Sequence, residues 1–145
     1  MALCTSGDWI VDKERDITFG VFNFMCEKFK QLVDVEVEVN QVDLTEDNSF
    51  GFCQVDEDGE FLIHIHNDLN SEDYAIRLIH ELVHVKQTLT GLLDNDRREE
   101  EAVIWEKILS KEFWETFKGK KDVLDYWKNQ DRIYALNSST SPLLP

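Results

Sequence analysis

His80-Glu81-Leu82-Val83-His84 is the stretch of this chain whose residue types and spacing could do chemistry. Residues four apart lie one above the other on an α-helix face, so both imidazoles can reach one metal ion. Glu81 follows the first histidine and lies beside the metal position rather than under it. There its carboxylate can accept a proton from a polarised water. The stretch therefore offers two ligands and a general base. A catalytic zinc ion normally has three protein ligands and one open position. His64, His66, His80 and His84 are all the histidines of the chain, and none follows the stretch, so a carboxylate is the expected third ligand.

Two helices must position these groups. Ser71 is the expected N-cap of the first, and Glu72 and Asp73 place negative charge where the helix dipole is positive. Ile76, Ile79, Leu82, Val83 and Val85 then recur at helical spacing up to Gly91, an expected C-terminal stop. The second helix follows the loop from Gly91 to Asp96, capped by Asp94 or Asp96, and runs through Arg97 to Leu109. At about 100° per residue, Ala102, Trp105, Leu109, Phe113 and Phe117 define its apolar direction. Glu99 lies within roughly 40° of that direction, and Glu100 and Glu101 lie more than about 100° from it. Glu99 and Glu106 point inward, and the small Ala102 lets the helix approach His80 and His84. Glu99 ranks first as third ligand, ahead of Glu101 and Glu106. Other members of the glutamate run form a solvated first turn that complements the dipole.

With these residues the chain resembles the zincin metallopeptidases, specifically the gluzincin type, in which a glutamate on a helix after H-E-x-x-H completes the site. In that group the ligand often opens a Glu-x-x-small pattern, frequently followed by aspartate, and the matching residues here are Glu99-Glu100-Glu101-Ala102. Val103 stands in place of the aspartate, so the carboxylate that would orient a ligand histidine is missing from that position. Nothing matches the longer H-E-x-x-H-x-x-G-x-x-H pattern of metzincins, and Met1 and Met25 leave no methionine for a Met-turn. The resemblance covers about residues 17 to 118 and is similar to the compact proteases of bacteria and phages, including the SprT-like and ImmA/IrrE-like groups. It implies an α+β, zincin-like fold: an N-terminal helix, a small antiparallel three-stranded sheet, an active-site helix, a glutamate helix and a C-terminal helix. It also implies Zn²⁺ held by His80, His84 and Glu99, with Glu81 as catalytic base of an endopeptidase. An extended peptide substrate would lie along an edge strand of the sheet.

The upstream chain is consistent with that order. Val21, Phe22, Phe24, Met25, Phe29, Leu32 and Val33 read as one amphipathic helix after Asp16. Val35 to Val39 alternates as a half-buried strand, Phe50 to Val55 is a second, and the turn Asp56-Glu57-Asp58-Gly59 leads into a third, Glu60 to His66. The expected arrangement is an antiparallel meander packed on helices. On the third strand Phe61, Ile63 and Ile65 face one way and Leu62, His64 and His66 the other. His64 or His66 is thus a candidate for contacting substrate or an oxyanion, against the alternative of histidines on a solvated strand face. Tyr74, Tyr126 and Tyr134 are equivalent candidates for the oxyanion role. Asp122 to Leu136 reads as a last amphipathic helix that closes the core, and residues 137–145 as a flexible tail.

Composition sets the outer bounds. A chain of 145 residues with 42% hydrophobic content forms one domain, residues 1–136, that can bury a sufficient core. Met1 to Ile10 has no apolar run long enough for a signal peptide, and nothing elsewhere could span a membrane. Cys4, Cys26 and Cys53 are odd in number and lack C-x-x-C spacing, which fits reduced thiols in a cytoplasmic protein. A formal charge of −15 argues against nucleic-acid binding and leaves a polypeptide as the expected partner. The oligomeric state is open. A non-catalytic zinc-binding or regulatory module of the same fold is the alternative, and Glu81 discriminates, since a structural site needs no general base.

Overall fold

The computed structural model describes residues 3–6 and 12–118, an α+β chain in the order β1 (Leu3–Ser6), α1 (Asp12–Lys28), a 3₁₀ turn (Lys30–Leu32), β2 (Glu36–Val42), β3 (Gly51–Val55), β4 (Phe61–His66), α2 (Ser71–Thr90) and α3 (Asn95–Lys118). The expected C-terminal helix at 122–136, the tail at 137–145 and the candidates Tyr126 and Tyr134 lie outside the described residues. No described helix is long and apolar enough to cross a membrane.

The sheet differs from the expected antiparallel meander. Its order is β1-β2-β4-β3: β2 pairs parallel with both β1 and β4, and β3 pairs antiparallel with β4. Only the β3–β4 hairpin is the local antiparallel unit the turn signal announces. β2 joins the far side of β4, with Val37 opposite Phe61 and Val39 opposite Ile63, so the buried residues of both strands share one face. Alternation specifies which face of a strand is buried and is silent on its neighbours. The four-residue β1 was not expected, being too short to show a period of two.

The apolar face of the sheet packs on α1 and α2 through Val37, Val39, Ile63 and Ile65, with Met25 from α1 and Ile79 and Leu82 from α2. The α1 helix ends at Lys28, and Leu32, expected within it, is instead buried in the 3₁₀ turn. The α2 helix is nearly enclosed. It is capped by Asn70, whose side chain accepts from the Asp73 N–H at 2.8 Å, rather than by Ser71, which is its first helical residue. At its far end Gly91 adopts φ 82°, as a left-handed cap requires, and its N–H meets the carbonyls of Gln87 and Thr88. Asp94 accepts from the Arg97 N–H at 3.2 Å and so caps α3. The fully buried Ala102 lets α3 lie close along α2.

Candidate metal centre

The α2–α3 pair brings together the donors that spacing singled out. Four residues apart on α2, the His80 and His84 rings stand edge to face with centroids 4.7 Å apart, and their Nε2 atoms are separated by 3.1 Å. From the second turn of α3, Glu99 places Oε1 3.1 Å from His80 Nε2 and Oε2 3.2 Å from His84 Nε2. Three ligands held tetrahedrally at about 2.0–2.1 Å from a zinc ion would stand about 3.3 Å apart. The triangle seen here is close to that size, and two imidazoles with one carboxylate form a donor set known for catalytic zinc. These residues fit a Zn²⁺ ion. Among the described residues, His80, His84 and Glu99 are the one group with this potential.

Glu99 reaches the histidines from the rim, with its side chain 59% exposed, whereas the inward carboxylate of α3 is Glu106 at 20%. The three glutamates ranked for the third ligand therefore separate by position. Glu101 accepts from Gln87 Nε2 at 3.2 Å, and Glu106 stands 3.6 Å from His80 Nδ1, on the far side of that ring from Glu99.

Each of the two histidines has a group behind its Nδ1 atom. Gln87, fully buried on α2, donates through Nε2 to the Arg98 carbonyl at 2.9 Å and to Glu101, so its Oε1 must face His84 Nδ1, 2.8 Å away. An amide oxygen only accepts, so His84 carries a proton on Nδ1, and in the neutral ring the Nε2 lone pair then faces Glu99. His80 Nδ1 is buried without a hydrogen-bond partner among the described residues, and Glu106 is the acidic group beside it. Gln87 therefore orients His84, the role left open by Val103, whereas Glu106 at 3.6 Å makes no hydrogen bond to His80. The sequence held a signal for Gln87, a polar residue three positions after His84 on the helix face that carries both histidines.

Electrostatics favours neutral, metal-ready imidazole at His80. Burial first, and the Arg77 charge second, hold its pKa down to about 4. Glu81 is buried one position on, and burial raises its pKa. Arg77 opposes that shift, donating through Nη1 to Glu81 Oε2 at 3.1 Å, and so favours the carboxylate form. Burial likewise raises the pKa of Glu106.

A cleft of ≈ 420 Å³ opens over the triad, with Arg77, Glu81 and the three donors on one side and Gly51, Phe52 and Cys53 of β3 on the other. The Cys53 thiol is pushed up to about 12, by burial first and then by the Glu81 charge, so it stays protonated and stands outside the donor triangle. His64 and His66 are not among the residues lining this cleft. His64 packs at a tilt of 56° against Phe52 with ring centroids 4.9 Å apart, and His66 Nδ1 accepts from the Leu44 N–H at 3.1 Å. Tyr74 is fully buried, its hydroxyl 2.5 Å from that of Thr18, which removes it from the oxyanion role.

Compared with known protein families, curated proteins and solved structures, the chain matches none of them.

Proposed function

We propose that this chain is a zinc-dependent endopeptidase with a zincin-like fold, acting on polypeptides in the cytoplasm. The observation that carries this reading is the convergence of His80 Nε2, His84 Nε2 and the Glu99 carboxylate within 3.1–3.2 Å of one another, with the buried Glu81 lining the same cleft. A Zn²⁺ ion bound there would polarise a scissile carbonyl and acidify a water molecule. His80, His84 and Glu99 hold the ion, and Gln87 keeps the His84 lone pair aimed at it. Glu81 accepts the proton of the attacking water and passes it to the leaving amine nitrogen. Its burial suits the first of these transfers, since a carboxylate with a raised pKa is a stronger base and takes the proton of water more readily, while the Arg77 contact keeps it ionised beforehand. Among the described residues the outer edge of β3 has no strand partner, and Gly51, Phe52 and Cys53 of that strand line the cleft, so a substrate strand can hydrogen-bond there through its backbone.

Replacing Glu81 with glutamine tests the reading. The amide keeps the shape and removes the proton acceptor, so zinc content should stay at about one ion per chain while hydrolysis of an unfolded protein falls by about a hundredfold or more. Equal turnover by both proteins would remove Glu81 from the chemistry. Absence of turnover by the zinc-loaded natural chain across a broad peptide library would favour a non-catalytic zinc-binding module instead.

A further inference from the structure

The chain carries a formal charge of −15, yet two arginines, Arg77 and Arg98, line the metal cleft. Their guanidinium groups are used differently. Arg98 donates to the Leu92 carbonyl at 2.8 Å, to Thr88 Oγ1 at 3.1 Å and to the His84 carbonyl at 3.4 Å, and so ties the α2–α3 connection together. Arg77 has one hydrogen-bond partner among the described residues, Glu81, reached from a single Nη1 atom. A guanidinium has five N–H donors in a rigid fork. Most of that fork is unspent, and the side chain is 26% exposed.

Its location and its stem are both defined. Arg77 lines the metal cleft and also a neighbouring pocket of ≈ 280 Å³ whose apolar wall is Phe50, Leu69 and Ile76. A Cβ added at Gly51 would stand 2.9 Å from both Cγ and Cδ of Arg77, so only a residue without a side chain lets the stem lie against β3. A seated stem with a free fork loses little side-chain freedom on binding, and a planar fork matches a carboxylate with two parallel hydrogen bonds. The negative surface does not decide this contact, because exposed charges are screened beyond about 8 Å at physiological ionic strength. Asp73 and Glu106 line the smaller pocket and Glu81 and Glu99 the metal cleft, so the seat for an anion is against the guanidinium itself, where the two cavities meet.

We propose that Arg77 is the receptor for a carboxylate of the bound polypeptide, either an Asp or Glu side chain beside the scissile bond or the free C-terminus, held where the metal cleft meets the Phe50–Leu69–Ile76 pocket. This deepens the peptidase reading and rests on it for the ligand being a polypeptide.

The experiment measures affinity on metal-free protein, by titration calorimetry, for two matched pairs of capped pentapeptides. One pair differs by an internal Glu against Gln with the C-terminus amidated, and the other by a C-terminal carboxylate against an amide with Gln inside. In one pair the acid should bind about tenfold more tightly than its neutral partner, a gain typical of hydrogen bonds to a charged group, and the pair that responds identifies the source of the carboxylate. Arg77→Gln should bring that ratio close to one. Arg77→Lys, which keeps the charge and loses the fork, should leave an intermediate ratio, and it carries the test if the glutamine variant fails to fold. No preference in the natural chain, or an undiminished preference in either variant, overturns the proposal. Since the ratio is read without zinc and without turnover, failure of the peptidase reading would show separately, in the Glu81→Gln comparison.

Discussion

Two pairs of histidines occupy this molecule, each pair on one face of its element, and their surroundings are opposite. On α2, His80 and His84 turn their Nε2 atoms toward each other and toward Glu99. On β4, His64 packs on Phe52 and His66 accepts from the backbone of Leu44. Residues two apart along a strand are about 6.6 Å apart with side chains standing roughly parallel, whereas four apart on a helix they meet. The second difference is the neighbour. A helix with a small residue at its contact point brings a carboxylate to one pair, and the sheet brings an aromatic ring and an N–H to the other. Shared residue type is therefore a weak guide, and the element that faces the pair decides what it can do.

The comparison breaks most sharply by removing each pair. Alanine at both His80 and His84 should lower zinc affinity by on the order of a thousandfold or more, while alanine at both His64 and His66 should leave it unchanged, as read by equilibrium dialysis with elemental analysis. Equal loss from the two double variants would end the distinction. Next in size is the carboxylate: Glu99→Gln should weaken zinc by about a hundredfold through loss of an anionic ligand, and Glu100→Gln, one position on and exposed, should do nothing measurable. A site indifferent to Glu99→Gln would mean that another group completes the set.

Gln87→Leu sharpens the contrast, because it leaves all three donors in place and removes only the acceptor behind His84. A ten- to hundredfold loss of zinc affinity is expected, with the His84 ring shifting toward mixed tautomers in nitrogen NMR spectra. An unchanged tautomer would show that Gln87 is only a packing residue.

The smallest effect is on stability without metal. An unfolded chain protonates His80 near its ordinary 6.5, whereas the folded ring waits until about 4. The unfolded state thus binds the proton first, and the His80 contribution is present above pH 6.5 and lost as pH falls toward 4. Glu81 and Glu106 act in the opposite sense, since carboxyl pKa values raised by folding favour the folded state at lower pH. The net loss between pH 7 and 5 should be on the order of 1–2 kcal/mol in urea unfolding, and smaller in His80→Gln. Identical pH profiles for the two proteins would contradict a neutral, buried His80.

The helices and the donors were legible because periodicity and the H-E-x-x-H spacing are local properties. The direction of Glu99 toward the histidines could be read from its angle to Ala102 and Leu109, although its exposure could not, since the same angle describes a rim or a core position. Arg77 lies four residues from both Asp73 and Glu81, so spacing alone left its ion-pair partner open. The sheet order was not legible: Val35 to Val39 shows which residues are buried, and nothing local states that β2 lies parallel to β4 instead of against β3. Gln87 was overlooked because its value depends on a carbonyl and a carboxylate from another helix, Arg98 and Glu101, which no single-helix pattern contains.

The α2–α3 hairpin has a consequence for the order of assembly. His80, His84 and Glu99 all belong to this one contiguous stretch, while the opposite wall of the cleft comes from β3, which is fixed in place by a sheet whose central pairings are parallel and distant along the chain. Contacts close in sequence form early, and parallel pairings must wait for long loops to close. The donors can therefore meet before the sheet is complete, so that ion capture would act as a clasp on a nascent helical hairpin and the cleft would be finished around it.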